Sequence, residues 1–243
     1  MEDYDCIQIG CLFDQEPSRE TYESFFDLFL DRSEARENNN EFDVICEDDV
    51  ERTKKCADGS DVAHIAKTAS SVTVTAPMGW DSISIGFSRT GVGFPTYSST
   101  PYLTLTAWIY SLKDPDREPL EQVKRRRRTF VELIARAGDI LEPKWGFGRR
   151  GGLAIGEDDT IENLVAMTTP PLYEYNVFRP ETVEAIGRER VLSAPAWYVE
   201  GLDNGGVFLA VQEPPRQCSP VAEPCVEVAD HLGISLGKTD RYH

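Results

Sequence analysis

The chain has 243 residues, with 42 Asp and Glu against 25 Lys and Arg, a formal net charge of −17. At 40% hydrophobic and 28% charged residues it has the composition of a folded protein rather than a disordered one. No apolar run approaches the roughly 20 residues of a membrane-spanning helix, and so acidic a chain lacks the basic footprint of general nucleic-acid binding.

The first residues, Met1 to Asp5, are acidic where a secretory signal is basic, so a cytoplasmic location is expected. Arg outnumbers Lys by 18 to 7. A heavy acidic load with little Lys points to a salt-loaded cytoplasm, where concentrated counterions screen self-repulsion. The acid is unevenly spread. Residues 1–61 hold 19 acidic and 6 basic side chains, whereas 113–152 hold 7 acidic and 11 basic. The molecule is therefore expected to carry an acidic end and a locally basic one.

Asp5–Phe13 alternates Ile7, Ile9, Cys11 and Phe13 onto one face and reads as a strand. A helix follows from Pro17-Ser18 to about Arg32, with Tyr22, Phe25, Phe26 and Phe29 as one aromatic stripe for the core. Phe42–Cys46 is a second strand. Ser60 or Asp61 is expected to cap a short helix bearing Val62, Ile65, Ala66 and Ala69. Ser71–Ala76, Ser82–Ser88 and Tyr102–Leu112 then form an antiparallel meander.

The longest helix is expected over Pro119–Leu141, with Leu120, Val123, Phe130, Ile134, Ala137 and Leu141 on one side. Arg127 falls inside that apolar stripe. Trp145–Gly152 (WGFGRRGG) reads as a connection to a strand at Leu153–Gly156, and a short helix follows Asp158-Asp159. Leu172–Phe178 is a strand, and Pro180 opens a helix that Gly187 ends. Ala194–Glu200 and Gly206–Gln212 form a hairpin across Leu202-Asp203-Asn204-Gly205. Pro214, Pro215 and Pro220 mark a linker before a closing helix at about 221–232.

These elements predict an α+β fold, a mostly antiparallel sheet with helices packed on one face. The expected organisation is a single domain, 1–243, with two possible similar α/β halves at 1–112 and 117–213. No residue-level repeat supports a duplication.

Chemistry-bearing patterns are sparse. Gly146-Phe147-Gly148-Arg149-Arg150-Gly151 matches GxGxxG, but a dinucleotide site needs a strand before it and a helix after it. The segment offers Trp145, Phe147, Arg149 and Arg150, together with Arg127, as contacts for an anion or an acidic partner. For Arg127 the competing expectation is a salt-bridged stem at the edge of the core. The most metal-like sets are Cys218, Cys225 and His231, and then Cys46, Cys56 and His64; neither has the tight spacing of a structural zinc site. Asp48-Asp49 and Asp158-Asp159 are the acidic pairs available to a divalent cation. No G-x-S-x-G, H-E-x-x-H or P-loop is present. No cofactor is expected, and the six cysteines are expected to be thiols rather than disulfides.

Trp145-Gly146-Phe147-Gly148, Pro170-Pro171-Leu172-Tyr173 through Arg188-Glu189-Arg190-Val191-Leu192, and Gly205-Gly206-Val207-Phe208-Leu209 carry a resemblance. From Trp145 onward the chain is similar to α+β immunity proteins of bacterial polymorphic-toxin systems and to uncharacterised haloarchaeal proteins. The resemblance implies a non-enzymatic binder and transfers no functional residue. The leading expectation is thus a protein-interaction module whose partner is another protein. The alternatives are a metal-dependent enzyme of hydrolase class and a structural subunit of a larger assembly.

Overall fold

In the computed structural model, the described residues are 6–31, 41–46, 52–69, 71–77, 82–88, 100–108, 112–113, 118–151, 153, 161–216 and 223–237. Among them the chain forms β1 (Cys6–Leu12), α1 (Arg19–Asp31), β2 (Phe42–Cys46), β3 (Arg52–Cys56) and α2 (Gly59–Thr68). β4 (Ser71–Pro77), β5 (Ser82–Ser88) and β6 (Tyr102–Trp108) complete the first half. The second half comprises α3 (Leu120–Leu141), β7 (Trp145–Arg150), α4 (Ile161–Ala166), β8 (Tyr175–Phe178), α5 (Pro180–Ile186), α6 (Arg188–Leu192), β9 (Tyr198–Gly201), β10 (Val207–Ala210) and α7 (Cys225–Leu232). The fold is α+β.

All ten strands join one sheet in the order β3-β2-β4-β5-β6-β1-β7-β8-β10-β9, and every neighbouring pair is antiparallel. β1 is the seam. It pairs with β6 of its own half on one side and with β7 of the other half on the other. The strand orders of the two halves differ, 3-2-4-5-6-1 against 7-8-10-9.

Residues opposite one another in antiparallel strands share a face, so the register defines the layers. One row runs Val44, Val74, Ile85, Leu105, Ile9, Gly148, Tyr175 and Ala210 across eight strands. On this face lie α1, α2 and α3. The α1 stripe packs as expected: Phe25 meets Phe26 and Phe29 edge-on at 5.2 and 5.4 Å, and Tyr22 meets Phe87 at 5.2 Å. Such pairs add about 0.5–1.5 kcal/mol each beyond the area they bury.

The opposite face carries a second layer along the later strands. Phe178, Val207 and Leu209 pack there against Val183, Val191 and Val228, from α5, α6 and α7. Leu12, Tyr102, Trp145 and Phe147 pack on that face with Leu164 of α4. On the earlier strands that face presents Gln8, Thr73, Thr75, Ser84 and Thr106, partly exposed and uncharged.

Five sequence expectations change. β3, with sequence RTKKC, was hidden because it lacks apolar alternation; it is an edge strand whose lysines suit an unpaired border. The WGFGRR connection is the strand β7, and Leu153 belongs to no strand, while 154–156 lie outside the described residues. Trp145, Phe147 and Arg149 alternate on the far face, while Gly146 and Gly148, read as loop residues, fill the near one. Finally, α2 is capped by Asp58, whose carboxylate accepts from Asp61 N at 2.8 Å, and Cys225 is disulfide-bonded.

The glycines of β7 have a packing reason. A Cβ on Gly146 would sit 2.6 Å from Val177 Cβ, and one on Gly138 of α3 would sit 2.9 Å from Val177 Cγ1. Val177 therefore occupies a notch between helix and strand that only two glycines leave open. Gly146→Ala is expected to cost about 1–3 kcal/mol through overpacking, with much of the loss recovered in the Gly146→Ala/Val177→Ala double variant. Urea denaturation of the four-member cycle checks this.

Candidate functional site

The residues singled out in the sequence lie mostly inside the protein. Trp145, Phe147 and Arg149 are buried, the last 1% exposed. Phe147 packs against Tyr173 with ring centroids 4.8 Å apart and the planes tilted by 38°. Arg149 Nε donates to the Arg150 carbonyl at 3.3 Å. Arg150 is partly buried: its N–H donates to Glu174 Oε2 at 2.7 Å, and its guanidinium reaches the Pro215 carbonyl at 3.3 Å. Arg127 Nε donates to the Leu112 carbonyl at 2.7 Å, and its NH1 lies 3.3 Å from Glu213 Oε1. Of the expected contact residues, Arg127, Trp145, Phe147 and Arg149 are buried and Arg150 is partly exposed. β7 is an internal strand, and Arg127 is a salt-bridged stem.

Among the described residues the members of the metal-like sets do not come together. Cys225 carries a disulfide and Cys218 lies outside the described residues, while His231 Nε2 is 2.9 Å from the Arg190 carbonyl. Cys56 is buried, neither it nor Cys46 is in a disulfide, and His64 faces solvent on α2. Asp48, Asp49, Asp158 and Asp159 fall outside the described residues. Among the described residues no three His, Cys, Asp or Glu side chains are placed to hold a metal ion.

The register brings a different group together. Leu12 of β1 lies opposite Trp145 of β7, Gly146 opposite Val177 of β8, and Phe178 opposite Val207 of β10. The residues just beyond those positions, Asp14, Lys144, Arg179 and Asn204, must therefore emerge at one end of the sheet. α3 also ends there, at Leu141, because it leads into β7. Prolines stiffen the three exits, at Pro17, Pro143 and Pro180.

Asp14 binds two cations there: Lys144 Nζ lies 2.6 Å from Oδ1, and Arg179 NH1 lies 3.2 Å from Oδ2. Arg179 Nε also meets Glu181 at 3.1 Å. The hydrogen bond from Lys144, helped by the charges of Lys144 and Arg179, holds the Asp14 carboxyl below its ordinary range against the opposing effect of burial. Around this network open two adjoining cavities. One of about 270 Å³ is walled by Val177, Phe178, Pro180 and Leu202, with Glu142 and Asn204. The other, of about 240 Å³, is lined by Phe13, Asp14, Gln15, Ile140 and Lys144. Glu142 and Arg179 border both.

Glu142 is the unusual member. It caps α3 with φ 46° and ψ 52°, the single non-glycine residue at positive φ among the described residues. That conformation costs a side-chain-bearing residue about 1 kcal/mol or more, which is why glycine is the common choice there. Its carboxylate is exposed and has no ion pair among the described residues.

A solved structure shares this architecture. The T6SS protein PA0821 of Pseudomonas aeruginosa matches 97% of this chain and 77% of its own, with a TM-score of 0.53 and 14% sequence identity. The likeness is one of fold. No family model matches the chain, and no curated protein matches it. No helix among the described residues is long and apolar enough to cross a membrane.

Sequence reasoning missed the cleft because its members are far apart, Asp14 being separated from Arg179 by 165 positions. The available signal was the repeated juxtaposition of charged or polar residues with proline at strand ends: Gln15-Glu16-Pro17, Glu142-Pro143-Lys144 and Arg179-Pro180.

Two outcomes follow. Arg127→Ala leaves Glu213 and the Leu112 carbonyl without their buried donor and is expected to cost about 2–4 kcal/mol, read by urea denaturation. Asp14 has a depressed folded pKa, so its stabilisation is present above the ordinary carboxylate range and is lost as pH falls through the folded value. Asp14→Asn should flatten the acid limb of stability below about pH 4. The effect should stay under about 1 kcal/mol, because Asp14 is half-exposed; thermal melts from pH 2 to 7 measure it.

Proposed function

We propose that this protein is a protein-interaction module that engages its partner through the cleft at the end of α3. The observation that carries the reading is the cleft itself. Two adjoining cavities have apolar and proline walls, and their rim is a charged network held in place by three chain segments. Recognition surfaces of this kind gain specificity from fixed polar groups on a rigid frame. The shared fold with a T6SS protein over 97% of the chain adds support for a role beside a secretion system.

The finer reading is a toxin-neutralising, immunity-type protein of a salt-loaded cytoplasm. The charge of −17 supports the salt adaptation, and the resemblance of the C-terminal segments supports the immunity role. The disulfide at Cys225 is the feature that belongs more naturally to an oxidising compartment. Thiol counting on protein taken from source cells decides the location: six free thiols accord with cytoplasm, and four with an oxidising one.

The test is affinity capture from source lysate in about 1 M KCl, where surface ion pairs are largely screened. One stoichiometric protein is expected on the wild type. Its affinity should fall at least tenfold with Glu142→Lys/Glu181→Lys, which reverses the charge of the rim, a variant first shown to be folded by circular dichroism. A clean lane, or equal binding by the variant, overturns the reading. For the immunity role, the captured partner produced alone should arrest cell growth, and co-expression of this protein should restore it.

A further inference from the structure

We infer that the larger cavity is a socket for one long cationic side chain, an arginine or lysine presented by the protein partner. The inference rests on the interaction reading above and adds the chemistry of the contact. Three independent features converge on a cation.

The first is the helix end. α3 is 22 residues long and its last turn contains no basic residue. Its negative dipole end therefore meets Asp139 and Glu142 instead of the Lys, Arg or His that such an end favours. Asp139 is partly engaged, accepting the Asn204 N–H at 3.0 Å. The second is Glu142, whose exposed carboxylate stands at the shared rim of both cavities without an ion pair among the described residues. The neighbouring cations are taken: Lys144 by Asp14, and Arg179 by Asp14 and Glu181. The third is size and lining. About 270 Å³ holds one extended side chain and is below the usual range for drug-sized ligands. Val177, Phe178, Pro180 and Leu202 supply the apolar wall that an aliphatic stem lies along while its charged head stays at the rim.

Glu142 also makes the inference separable from simple helix capping. If the residue served only to end α3, glycine would do so with less backbone strain. Glu142→Gly is therefore expected to raise the melting temperature while weakening cation binding. A purely structural residue would not show that opposition.

The probe is N-acetyl-arginine amide, with the uncharged isostere N-acetyl-citrulline amide as control, followed by amide NMR shifts at Gly138, Glu142 and Asn204. The arginine compound is expected to saturate these shifts at millimolar concentration, the citrulline compound to bind at least tenfold more weakly, and Glu142→Gly to lose about tenfold in arginine affinity. Shifts that do not saturate, equal shifts from both compounds, or unchanged binding by a folded Glu142→Gly variant overturn the inference. The two readings fail separately. A captured partner bound equally by wild type and Glu142→Gly removes the socket and leaves the interaction module. Saturable arginine binding with no captured partner does the reverse.

Discussion

β1 is hydrogen-bonded on both edges, to β6 through seven residue pairs and to β7 through five. A strand held this way cannot slip by one residue on either side without turning its buried face, Ile7, Ile9 and Cys11, toward the opposite layer. That constraint ties two halves with different strand orders into one sheet. It also sets which chain segments leave the sheet at the same end. The exits of β1, β7, β8 and β10 are brought together by register alone, and the cleft is what those exits enclose.

The packing around the seam reinforces the arrangement. α3 lies on the face that holds Tyr175 and Val177, and Gly138 and Gly146 let it approach β7 and β8 closely around Val177. Near its other end, Arg127 reaches the carbonyl at Leu112 and the carboxylate of Glu213, the segments that follow β6 and β10. A buried ion pair of this kind adds little net stability, but losing one partner strands the other. Its effect is positional: the helix is pinned at one end by a guanidinium and near the other by a glycine notch.

Charge is distributed by the same logic. The chain is strongly acidic, yet the cations near the cleft are locally neutralised, Lys144 and Arg179 by Asp14 and Glu181. Among the described residues, what remains unpaired at the rim is the carboxylate of Glu142 together with the negative end of α3. The overall field of a −17 protein would bring a basic partner toward any face. The cleft provides a place where such attraction becomes a specific contact.

The sequence by itself determined the class of the fold and most of its elements. Period-two alternation in Cys6–Leu12 and the aromatic stripe of α1 are local signals, written in residues a few positions apart. The proline start and glycine stop of α5 are equally local, and Arg127 was legible as a polar residue within an apolar stripe. The strand at Trp145–Arg150 was not legible, because glycine at alternate positions erases the apolar signal; those glycines answer to Ile9 and Val177, more than 100 and about 30 residues away in sequence. The cleft was invisible for the same reason. Asp14, Glu142, Lys144 and Arg179 are ordinary surface residues until antiparallel register places three strand ends and a helix end side by side. Local propensity can specify each element, but which ends meet depends on pairing across the whole chain, and that was decided only in the tertiary structure.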